Sequence, residues 1–264
     1  MPRQPWSVDN SVDGVSTVRL ASWKHFHDYV TQEFLGFPSF VWRGQRESFW
    51  ALQSSFDRLV TAPDARLRNQ LASQHLARFK MAARGRRGAT PAKIEHESEW
   101  WALAQHNGMA TPLLDWTESP FVALYFAFEK ADKHTITRAV WGLSDVRKKN
   151  REIKDTGQEH LNPLLEMVRP MQDENMRLVS QAGLFTQLPP GITVDDWIRK
   201  NFAGDKDSIW LVKIEIPDDG REECLRTLNR MNINHLSLFP DLYGAGSYCN
   251  KALQIANYAA RIPS

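Results

Sequence analysis

The chain has 264 residues, 42% of them hydrophobic and 24% charged, with a formal net charge of +2. That length suits one large domain or two small ones, and the apolar content is enough for a sizeable core. So small a net charge removes any global case for nucleic acid or an anionic membrane as partner.

Residues 1–18 read as a loose polar arm, and residues 19–264 as a single domain. Ser22 can cap a helix from Trp23, in which Trp23, Phe26, Val30 and Phe34 recur at helical spacing. Gly36 to Ser39 breaks it. Phe40-Val41-Trp42 then predicts a short strand that ends in Arg43-Gly44-Gln45. A short turn region follows over Leu52–Arg58. The pattern over 65–82 is helical and polar-rich, and Arg84 to Pro91 is a loop. A further helix runs from near Ile94 to a stop at Asn107-Gly108.

The next stretch, Gln105 to Pro120, crowds amide, imidazole, carboxylate and hydroxyl groups into a turn-rich segment. Ser119-Pro120 is a good helix start, and Phe121–Ala131 is apolar nearly all round, which predicts a buried helix. Ala139–Leu143 reads as a strand, and Arg147–Asp155 as an exposed charged stretch. Met176–Phe185 reads as loop then strand, ended by Pro189-Pro190-Gly191. Ile209–Ile216 reads as a half-buried strand and Glu222–Met231 as a helix. Ile233–Pro240 is irregular, and a last helix covers Gly246–Ala260. Helices and strands without regular alternation favour an α+β fold, with a central antiparallel or mixed sheet flanked by helices.

Several side chains can carry chemistry, and each has a structural reading beside the functional one. Arg43 can grip a phosphate or carboxylate with two prongs, or pin the fold through Asp115. His106 can act as a general base, or cap a helix end. Gln105 can bond a ligand or satisfy backbone. Asp115, between Leu114 and Trp116, is expected to be substantially buried, either as a catalytic carboxylate or as the acceptor that holds a turn. Thr117 and Ser119 are helix-capping types. Glu118 suits the mouth of the following helix. Trp116 either walls a pocket or fills the core. His235 and Asp241 form a candidate second polar pair, but no Gly-x-Ser-x-Gly elbow accompanies them. The basic run Arg78–Arg87 is a solvated face or a phosphate-binding patch. Cys224 and Cys249 form no metal spacing or disulfide framework and are expected to be buried free thiols in a reducing cytosol. No His-Glu-x-x-His motif, Walker loop or Rossmann fingerprint is present. No apolar run is long enough to span a membrane, and Met1–Gly14 lacks a secretory pattern, so the expected location is cytoplasmic.

Four blocks together resemble the FRG domain, a family named for a Phe-Arg-Gly motif: Trp42-Arg43-Gly44-Gln45, Ala104–Gly108, Leu113–Pro120 and Ala123–Ala127. Arg177–Phe185 and His235–Leu242 resemble further blocks of that family, in family order. Trp42 stands where the motif has Phe, and Pro112 stands where an Arg is expected. A weaker likeness is to the Arg–Ser–Glu class of ADP-ribosyltransferases. It implies that Arg43 holds NAD phosphate or ribose and that Thr117 and Ser119 form the ribose-supporting turn. No Glu-x-Glu follows, and Gln181-Ala182-Gly183 occupies the comparable place. The resemblance implies an ADP-ribosyltransferase-like fold and a cleft built from Arg43, Gln105, His106, Asp115, Thr117 and Ser119. Gln45, Trp116, Gln181, His235 and Asp241 would complete it. The ligand would be a nucleotide-like small molecule, with NAD consumed as substrate. The reaction would be ADP-ribosyl transfer or NAD glycohydrolysis, with a protein or nucleic-acid acceptor, in a bacterial or phage toxin or defence effector. A non-catalytic ligand-sensing or protein-interaction module is the alternative, and a nucleic-acid-acting protein a weaker one.

Overall fold

A computed structural model describes residues 5–88, 90–170 and 176–259. The first strands are β1 (Trp6–Val8) and β2 (Val15–Leu20), which pair antiparallel. The loose arm expected over residues 1–18 is therefore corrected from Pro5 onward. Val15, Val18 and Leu20 turn inward, and that burial holds the segment in place. Ser22 accepts from the Lys24 amide and starts a 3-10 turn, Trp23–His25, that leads into α1 (Phe26–Phe34). The predicted stripe is there, with Phe26, Val30 and Phe34 all buried. β3 (Val41–Gln45) follows, so Arg43 sits mid-strand and not at its end. The expected turn over 52–58 contains α2 (Ser55–Leu59), capped by Ser54.

The helical reading of 65–82 matches α3 (Ala65–Ala82). α4 (Glu97–His106) starts three residues later than expected and stops at Asn107 and Gly108, the latter at φ 83°. The polar segment that was expected to be turn-rich contains a central strand, β4 (Leu113–Thr117). α5 (Pro120–Phe128) is capped by the Ser119 hydroxyl, which accepts from the Val122 amide, and it ends three residues short of Ala131.

β5 (Thr137–Leu143) and α6 (Arg147–Thr156) come next; the charged stretch is a helix, stopped by Gly157 at φ 65°. β6 (Glu166–Val168), α7 (Met176–Ser180), β7 (Gly183–Gln187), α8 (Val194–Asn201) and β8 (Leu211–Pro217) follow, and of these β6, α7 and α8 were not foreseen. α9 (Arg221–Arg230) agrees with expectation, whereas the irregular segment contains α10 (His235–Leu238). The last described helix, α11 (Leu242–Gln254), begins earlier than the expected 246–260, and Ala260 lies outside the described residues. Its start is fixed by Asp241, whose carboxylate accepts from the Gly244 amide. Cys224 is buried as expected, but Cys249 is exposed, because it lies on the outer face of α11.

All eight strands form one sheet in the order β1-β2-β8-β5-β3-β4-β7-β6, mixed because β2 and β8 run parallel. The chain is thus α+β. One face packs on α5, α1 and α9 through residues such as Phe26, Phe34, Trp42, Tyr125 and Leu225. The other packs on α6 and α8 through Trp116, Trp141, Ile153 and Trp197. Gly44 explains how closely α5 lies on β3. A Cβ there would meet the Ala123 carbonyl oxygen at 1.9 Å and the Ala127 nitrogen at 2.5 Å. The glycine of the Arg-Gly pair is therefore a packing requirement.

One seam of the sheet differs from the rest. β3 meets β5 over five residue pairs, and β4 meets β7 over five, but β3 and β4 share a single pair, Trp42 with Thr117. The two halves of the sheet diverge from that point.

Candidate functional site

The divergence leaves a cleft of about 670 Å³. Alternation along β3 decides which side chains enter it. Trp42 and Gly44 turn toward α5, so Arg43 emerges on the opposite face. Its Nη1 donates to the Asp115 carbonyl oxygen at 2.8 Å, a backbone acceptor on the side of β4 where the ladder with β3 has opened. The Asp115 carboxylate lies 3.6 Å from the same nitrogen. The guanidinium thus bridges the open seam. Its side chain is 17% exposed, and burial pulls its pKa below the usual arginine value against the opposing pull of Asp115. Its buried Nε has no hydrogen-bond partner among the described residues.

Asp115 is 64% exposed at its side chain, which corrects the expectation of burial. In a strand, neighbours alternate; Leu114 and Trp116 take the core face and push Asp115 outward. Gln105 donates to its Oδ1 at 2.6 Å, and the Thr111 hydroxyl donates to Gln105 in turn. Gln105 therefore positions Asp115 from behind and does not itself line the cleft. Thr117 does line it, but its hydroxyl is committed: it donates to the Gln181 carbonyl at 2.6 Å and accepts from the Ser119 amide at 3.1 Å. Ser119 caps α5 and lies outside the cleft. Gln181 reaches the rim, its amide donating to the Leu238 carbonyl at 3.1 Å. Gln45 lines the cleft but is saturated, donating to the Ala51 carbonyl and accepting from Trp141 Nε1 at 2.8 Å. Trp116 borders the cleft from the core, its indole N–H donating to the Thr186 hydroxyl. Glu118 is exposed and ion-paired with Arg169.

The remaining expected residues lie elsewhere. His106 faces a second groove, between α3 and α4, and its pKa is lowered by burial and by Arg177. His235 and Asp241 do not pair with each other. Asp241 caps α11 and binds Arg177; the Gly244 N–H, more than Arg177, holds its carboxyl below the usual range. His235 is buried against the Tyr125 hydroxyl and stacked on Phe239, and burial takes its pKa down to about 4, which keeps it neutral near pH 7.

Several cleft residues carry no motif and escaped sequence reasoning. Arg46, Arg58 and Lys130 add positive charge. Arg58 Nη1 donates to the Gln53 carbonyl at 2.8 Å, and Arg46 lies 5.0 Å over the exposed Trp50 ring. These cations stand in a cleft where Pro112, itself buried, supplies none. Glu129 is the second carboxylate of the cleft, 14% exposed, with its pKa raised by burial against Lys251, Lys130 and Arg221. The signal that could have found it was its place at the end of an otherwise apolar helix, where a carboxylate opposes the dipole and needs a reason.

Residues 38–135 match the model of the FRG domain. That segment of the chain carries an FRG domain. No curated protein and no solved structure matches the chain, so its likeness to ADP-ribosyltransferases rests on sequence alone. Among the described residues, no group of three His, Cys, Asp or Glu side chains could hold a metal ion. No helix there is long and apolar enough to cross a membrane.

Proposed function

We propose that the seam cleft of this protein binds a phosphorylated, nucleotide-like ligand, with NAD as the leading candidate. The reaction would be ADP-ribosyl transfer or NAD glycohydrolysis, in keeping with a toxin or defence effector. One observation carries the reading: the nearly buried Arg43 guanidinium has, among the described residues, its one carboxylate partner 3.6 Å away and largely in solvent. Three further cations line the same hollow against two carboxylates. A buried cation so weakly compensated favours an incoming anion. Arg43 and Arg58 hold phosphate, and the exposed Trp50 ring offers a stacking surface for a flat heterocycle. Asp115 and Glu129 supply the negative charge that stabilises a developing cation at the anomeric carbon.

The test is nicotinamide release from NAD, followed beside a thermal shift with NAD. The expected result is both signals in the wild type, loss of both in Arg43→Ala, and a retained shift without turnover in Glu129→Gln. Neither turnover nor a shift in the wild type would remove the reading. A second reading, non-catalytic ligand sensing, draws on the committed hydrogen bonds of Thr117 and Asp115. A shift without nicotinamide release in the wild type selects it.

A further inference from the structure

Charge is distributed unevenly along this chain. Between Ala65 and Ile94 stand Arg66, Arg68, Arg78, Lys80, Arg84, Arg86, Arg87 and Lys93, and no acidic residue. With 33 basic and 31 acidic residues in all, the remainder is net acidic. The near-zero total therefore conceals one strongly positive stretch of chain. Cations at the end of α3 would be expected in any case, since they complement the helix dipole, and Arg86 does donate to the Ala82 carbonyl at 2.6 Å. One or two charges serve that purpose. Five between Arg78 and Arg87, without a counter-charge in the segment, exceed it.

Two of these cations, Arg86 and Arg87, line a groove between α3 and α4 of about 760 Å³, together with Phe79, Leu103 and His106. Lys80 and Arg87 lie 5.7 and 5.2 Å from the Trp100 ring centroid, so α4 holds them by cation–π contacts. Arg78, Arg84 and Arg86 are exposed.

We propose that this groove binds single-stranded nucleic acid, with phosphates on the arginines and a base against Phe79. Arginine outnumbers lysine six to two in the segment, and its planar fork matches phosphate. Cations beside an aromatic side chain in one groove are how sequence-tolerant single-strand sites are built. The site is separate from the seam cleft but adjoins its support, since His106 follows Gln105, the residue that holds Asp115.

The experiment is fluorescence anisotropy with labelled oligo-dT and oligo-U of about twenty nucleotides, over a range of salt. Arms with poly-glutamate and with anionic phosphatidylserine vesicles run beside it. Affinity should fall steeply with salt. Arg84→Ala with Arg86→Ala should weaken binding by about tenfold or more and shrink the log–log salt slope by about 1.4. Both residues are exposed, so the melting temperature should stay near wild type. Lys148→Ala with Arg151→Ala removes the same charge from exposed positions on α6 and should change affinity little. Equal losses from the two double variants, no oligonucleotide binding, or preference for vesicles or poly-glutamate would each overturn the proposal. None of these results depends on whether NAD binds the seam cleft.

Discussion

The two edges of β3 are built in opposite ways. Toward β5 it zips over five pairs; toward β4 it shares one pair, and an arginine spans the gap. A sheet can therefore stay continuous and still hold a hollow, provided one seam is opened and a side chain satisfies the backbone exposed there. The closed edge supports packing, and the open edge gathers charge.

The strongest way to break this contrast is to disturb the closed side. Gly44→Ala places a carbon where α5 backbone already stands, and should lose about 3 kcal/mol or more of stability by chemical denaturation. Near-wild-type stability would mean that α5 does not lie so close.

The sealed ground behind the cleft can be probed by acid. His235 has a depressed pKa when folded, about 4 against an ordinary 6.5. The unfolded chain therefore binds its proton first as pH falls, and His235's contribution is full above about 6.5 and drains toward 4. Between pH 7 and 5 the wild type should lose about 2 kcal/mol more than His235→Gln does in urea titrations. Parallel pH profiles for the two proteins would show that His235 is hydrated in the fold.

The open seam responds more mildly. Thr117→Val removes the hydroxyl that ties the single shared pair to Gln181 and Ser119, and should lose about 1–2 kcal/mol in the same assay. The gentlest test touches the packed face alone. Cys249 should react with a thiol reagent at once and without change in melting temperature. Cys224, whose pKa burial pushes up, should react only on unfolding. Equal rates would show that face to be loose.

Periodicity made the helices legible. Ser22, Ser119-Pro120 and Asn107-Gly108 mark their ends chemically, and the 65–82 pattern gave α3 to the residue. β4 was hidden because its polar residues resembled a turn; Leu113, Leu114 and Trp116 hold it in the sheet through neighbours far along the chain. The convergence of Arg43, Asp115, Thr117 and Gln181 on one cleft was legible from their motifs. Arg46, Arg58, Lys130 and Glu129 were not, since nothing local marks a residue that matters only once a sheet has opened beside it. His235 and Asp241 share a motif yet serve separate neighbours, a difference that spacing alone cannot express.

The matched segment, residues 38–135, contains β3 and β4 alone among the described strands, and these two share one pair. Their full ladders come from β5 and β7, both encoded later. The carbonyl end of α5 is likewise held from outside: Arg138 on Ala127, Arg221 on Phe128 and Glu129, Lys251 on Glu129. Cut out at those bounds, the recognisable portion would keep its signature and lose its scaffold. What makes the protein identifiable and what lets it stand are written in different stretches of the chain.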